Sequence, residues 1–88
     1  MSIESMVFEY WKAVTSPHRH REIVDSCLYW VRDGVQPVIE RMGYTWDEKM
    51  EQILIDAALN YSSSWCMSFM EFFMRRLKNS VKSTIVGG

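Results

Sequence analysis

An all-α bundle is the fold class this sequence predicts, and three observations predict it. The chain of 88 residues holds only 4 Gly and 2 Pro, and these fall where helices begin or end rather than in hairpin turns. Apolar residues recur at three- and four-residue spacing instead of alternating. Hydrophobic residues make up 48% and aromatic ones 14%, which suits one folded domain and excludes a disordered chain. We expect a small bundle of four longer helices and one short one, dimeric, with a single domain over residues 1–82 and a flexible tail over 83–88.

The first helix follows Ser2, a candidate N-cap. Ile3, Met6, Val7, Tyr10, Trp11 and Val14 share an apolar arc about 140° wide at 100° per residue, and Phe8 lies off it. Ser16-Pro17 reads as N-cap and first residue of helix two, because proline's missing N–H costs nothing there. Asp33-Gly34 supplies its stop, giving residues 17–33. Its polar stripe is His18, Arg21, Asp25 and Arg32, and its buried side takes Ile23, Val24, Cys27, Leu28, Trp30 and Val31.

Pro37 opens the short helix, and Gly43, free to adopt a left-handed conformation, ends it. Thr45-x-x-Glu48 is a capping box, so the next helix is expected to start at Trp46 and run to Leu59. Trp46, Met50, Ile53, Leu54 and Ala57 form its core stripe, while Ile55 and Leu59 point the other way. Ser62-Ser63-Ser64 marks the next break. From Trp65 the final helix gathers Ser64, Ser68, Glu71, Arg75, Lys78, Asn79 and Lys82 on one arc of about 100°. Trp65, Cys66, Met67, Phe69, Met70, Phe72, Phe73, Met74 and Leu77 cover the rest.

Charge excludes more than it assigns. Ten basic residues against 11 acidic ones give a net −1, unlike a generally polybasic nucleic-acid binder. The distribution is uneven, at −4 over residues 1–60 and +3 over residues 61–88. The acidic helix with Asp47, Glu48, Glu51 and Asp56 should therefore attract the basic one after it, at about 0.2–1 kcal/mol per exposed ion pair. Two cysteines are too few for a secreted disulfide framework, and no basic, apolar leader opens the chain, so an intracellular, cytoplasmic setting is expected. Ile53 to Met74 is long enough to span a membrane, but Asp56, Asn60, Ser62 to Ser64 and Glu71 interrupt it.

Catalytic and metal signatures are missing from the pattern: no Gly-rich phosphate loop, no G-x-S-x-G and no HExxH. His20 and Cys27 share a helix face but lie about 10 Å apart along the axis, too far to share a zinc. Cys66, among aromatics, reads as an inert buried thiol. We expect neither enzyme activity, nor a cofactor, nor a metal.

What remains is an apolar excess. A helix apolar over most of its circumference is either central in its bundle or shared with another chain, and 88 residues offer little centre. The expected interface is Trp65, Phe69, Met70, Phe72, Phe73 and Met74, extended by Ile55, Leu59 and Phe8, serving a homodimer or a protein partner. That suits an adaptor or inhibitor, of the kind that viruses and mobile elements encode among others. The alternative is a helical RNA or DNA binder gripping phosphates with Arg75, Arg76, Lys78 and Lys82.

Overall fold

The computed structural model describes residues 2–18, 20–62 and 66–87, with 81–87 described by backbone alone. Among the described residues four helices follow one another: α1 (Ile3–Thr15), α2 (Arg21–Arg41), α3 (Glu48–Asn60) and α4 (Phe69–Gly87). No strand occurs among the described residues. The fold is all-α, with one helix fewer than expected.

At the start of α1, Ser2 Oγ accepts the Ser5 N–H at 3.1 Å, the cap the sequence indicates. The helix ends at Ser16, whose ψ of 137° is extended, as a following proline imposes on the residue before it. Pro17 therefore closes α1 instead of opening α2. Helical turns resume only at Arg21, behind His20, which supplies no side-chain cap.

From there α2 runs for 21 residues, straight through the expected stop at Asp33-Gly34 and the expected short helix at Pro37. Magnitudes explain the correction. A mid-helix glycine and proline together cost about 4 kcal/mol, whereas burying three aliphatic side chains returns about 1.5–3 kcal/mol each. Val31, Val35 and Ile39 are all 0% exposed along one stripe. Pro37 is exposed, as is Asp33, whose carbonyl loses its helical donor and is left to water. Gly34 has a different use from the one expected of it. A Cβ there would sit 3.1 Å from Ile3 Cγ1, so the glycine lets α1 approach α2 closely.

Gly43, at φ 97°, ends α2 as its left-handed preference predicts. Its N–H donates to Glu40 O at 3.0 Å and the Tyr44 N–H to Ile39 O at 3.3 Å, the paired bonds of a Schellman motif. The start of α3 lies two residues beyond the expected Trp46, because Asp47 rather than Thr45 is the cap. Its Oδ1 accepts the Met50 N–H at 2.9 Å, and a carboxylate also complements the helix dipole. Left outside the helix, Trp46 stacks on Phe73 with ring centroids 6.2 Å apart.

The last helix starts at Phe69 rather than Trp65, with Ser68 Oγ accepting the Glu71 N–H at 3.2 Å. A second acceptor comes from 65 residues away, where Glu4 Oε2 takes the Phe69 N–H at 2.9 Å. Cys66 consequently lies in the bend before α4 and is exposed, not the buried thiol expected. The segment from Ile53 to Met74 is split between α3 and α4, and no helix among the described residues is long and apolar enough to cross a membrane.

Phe69 and Phe73 are 0% exposed and Leu77 2%, at i, i+4 and i+8 of α4. They join Val7 and Tyr10 of α1, Val24, Val31, Val35 and Ile39 of α2, and Met50, Leu54, Ala57 and Ala58 of α3 in one core. Tyr61 adds ring contacts to Phe69 at 5.5 Å and Phe72 at 5.7 Å. The stripe of α4 through Phe69, Phe73 and Leu77 is thus spent inside the chain, with Met70, Phe72 and Met74 packed half-buried against it.

Candidate functional site

Placement of the expected interface residues follows from that core. Phe69 and Phe73 are sealed within the chain and present no surface to a partner. Met70, Phe72 and Met74 are half-buried and pack on the same core, as does Leu59. Ile55 is also half-buried, Phe8 is exposed, and Trp65 lies outside the described residues. Phe69 and Phe73 are sealed because Trp46, Tyr61 and α3 pack against that side of α4, while Met70, Phe72 and Met74 keep part of their surface outside the core.

Exposed apolar surface gathers instead on α1 and α2. Among the described residues the large side chains at about half exposure are Phe8 (48%), Trp11 (44%), Ile23 (53%), Tyr29 (56%), Trp30 (54%) and Met42 (53%). Phe8 and Trp11 stack on each other at 6.2 Å on one flank of α1, and Lys12 Nζ lies 5.2 Å from the Phe8 ring. On the opposite flank, Met6 and Glu9 of α1 face Cys27 and Trp30 of α2 across an open groove of about 500 Å³. A second depression of about 340 Å³ continues it past Ala13, Ile23, His18 and His20, with Glu9 and Cys27 common to both.

Ile23, Cys27 and Trp30 stand at i, i+4 and i+7, one stripe down α2. Ile23 and Trp30 lie about 100–120° around the helix from the buried line through Val24, Val31 and Val35, so the packing of α1 reaches only to Cys27. Cys27 is half-buried, and burial first, then the Glu9 carboxylate, raise its thiol above the ordinary value. Glu9 and Lys12, the carboxylate and the amine lining the groove, pair with each other at 3.3 Å.

Ile23 and Trp30 read as core from periodicity alone, as did Trp11. One signal pointed the other way: the apolar residues of α2 spread wider than the stripe a single neighbouring helix can bury.

The basic set is only partly available. Arg76 Nη1 donates to Asp56 Oδ2 at 2.6 Å and its guanidinium lies 5.1 Å from the Phe72 ring, which realises the expected attraction between α3 and α4. Arg75 and Lys78 are exposed. Lys82 falls where the structure describes no side chains. Glu51 does not reach α4: Arg32 Nε donates to its Oε1 at 2.9 Å and Arg32 Nη2 to its Oε2, while Trp46 Nε1 donates to Oε1 at 3.1 Å. No group of three or more His, Cys, Asp and Glu side chains able to hold a metal occurs among the described residues. No protein-family model matches the sequence, and neither a curated protein nor a solved structure matches the chain.

Proposed function

We propose that the chain is a non-enzymatic protein-binding module whose contact surface is the apolar face of α1 and α2, not α4. One observation carries this reading: Trp30 and Ile23 stay about half exposed where they line the two adjoining depressions between α1 and α2, while Phe69 and Phe73 of α4 are core. Contiguous apolar patches on a small soluble chain mark contact sites, and Trp and Tyr are the residues that most often carry interface energy. Arg76, tied to Asp56, lends less to the rival nucleic-acid reading than its position in the sequence suggests.

The test is site-specific photo-crosslinking in living cells. A photoreactive residue replaces Ser26, exposed beside the stripe, or, as a control, Gln52, exposed on α3. Protein adducts are expected from position 26, and a Trp30→Glu change in the same chain should abolish them. Adducts arising only from position 52, or unaffected by Trp30→Glu, would sink the reading.

A further inference from the structure

We propose that the pocket between the start of α1 and Tyr61 binds a methylated ammonium group, presented by a choline-type headgroup or by a trimethylated lysine side chain. It lies on the flank of α1 away from the Ile23–Trp30 stripe, so it is a site separate from the contact surface proposed above. Glu4, Phe8 and Trp11 stand at i, i+4 and i+7 of α1, one stripe of the helix, beside Val7, which is 2% exposed. With Tyr61 they line a depression of about 250 Å³. A benzene ring needs only roughly 150 Å³, so a trimethylammonium head and the first carbons of its stem fit.

The lining selects charge as well as shape. Aromatic faces carry the negative end of the ring quadrupole and attract a cation, and the Glu4 carboxylate adds a full negative charge beside Phe8, Trp11 and Tyr61. A neutral apolar occupant suits the rings but strips water from that carboxylate and returns nothing, which is costly. An anion is repelled by it. The charge is felt across the pocket: burial, then the Glu4 carboxylate, push the Tyr61 hydroxyl above its ordinary value. One of these rings already holds a cation, since Lys12 Nζ lies 5.2 Å from the Phe8 centroid. Lys12 pairs with Glu9 at 3.3 Å and does not line the pocket, so its ammonium belongs outside it.

Hydrogen bonding favours the methylated form. The Tyr61 hydroxyl donates to Met67 O at 2.5 Å, and Glu4 Oε2 accepts the Phe69 N–H at 2.9 Å. Few acceptors are left for the N–H donors of a bare lysine ammonium, whereas a trimethylated one brings charge with no donor to satisfy. The same bonds fix the walls in advance. Tyr61 is further held against Phe69 and Phe72, and Phe8 stacks on Trp11, which keeps the ordering cost of binding low.

Chemical-shift titration of the full chain tests the proposal, with choline, Nα-acetyl-Nε-trimethyl-lysine amide and the neutral isostere 3,3-dimethylbutan-1-ol as probes. Saturable binding of at least one cation is expected, with the isostere at least about tenfold weaker. Trp11→Leu should weaken the cation at least about tenfold with helicity by circular dichroism unchanged, whereas Trp30→Leu, on the other flank, should not. Glu4→Gln keeps an oxygen for the Phe69 N–H but removes the charge, so it should weaken the cation and leave the isostere unaffected. Choline alone among the cations identifies a free headgroup as the source, trimethyl-lysine alone a modified protein, and both together a trimethylammonium group recognised without its stem. No binding of either cation, an isostere bound equally well, or a cation indifferent to both Trp11→Leu and Glu4→Gln overturns the proposal.

Discussion

Glu51 shows what a single residue does only in the folded chain. In the sequence it stands with Asp47 and Glu48 at a helix start, where acidic side chains favour the dipole. In the structure Arg32, 19 residues earlier, grips it with two donors and Trp46 adds a third. The Arg32 hydrogen bonds hold its carboxyl below the ordinary value, the Trp46 bond adds to this, and burial opposes both. A depressed folded pKa means that the stabilisation is fully present above the ordinary carboxylate range and is lost as pH falls through the folded value. We therefore expect urea midpoints of the wild-type chain to fall more steeply than those of Glu51→Gln between about pH 6 and pH 3. At neutral pH the variant should be less stable by about 1.5–3 kcal/mol, the range for a hydrogen bond to a charged group. Parallel pH curves would show that the cluster contributes nothing to folding. No local signal names Arg32 as the partner, because their meeting depends on how α2 crosses the start of α3.

At the scale of elements, the caps account for both the agreements and the shifts. Ser2 and Gly43 act where the sequence places them, since each satisfies its helix end with groups within a few residues. Pro17 misleads because proline restrains its predecessor as strongly as it suits a first helical turn, and here the restraint on Ser16 decides. Gly34 and Pro37 mislead because local cost is outweighed by core burial that only packing reveals. The start of α4 depends on a neighbour: the Glu4 carboxylate accepts the Phe69 N–H, an orphan donor that no residue of α4 serves. Glu4→Ala is expected to destabilise the chain by about 1 kcal/mol, the usual worth of a lost cap. Amide exchange should quicken at Phe69 and its neighbours more than in α2. Uniform acceleration across all four helices would show instead that Glu4 supports the whole bundle and not that helix end.

For the molecule as a whole, the decisive question is which apolar surface is core. Phe73, fully buried against Trp46, should cost about 3–5 kcal/mol of stability on truncation to alanine, a large part of what a domain of this size has. Met42→Ala, at an exposed site, should stay within about 0.5 kcal/mol. Chemical denaturation measures both, and a Phe73→Ala chain that keeps its stability but changes its solution mass would restore α4 to the surface. The amino-acid sequence alone determined the helical class, the positions of most helices to within a few residues, and the apolar arc of each helix, because these depend on periodicity and on caps close in sequence. Only the tertiary structure decided which arcs are covered. An arc says that a face seeks a partner without saying whether the chain has a helix left to supply one. For α4 it does, through α3, Trp46 and Tyr61; for the outer edge of α2 it does not, and Ile23 and Trp30 remain in water.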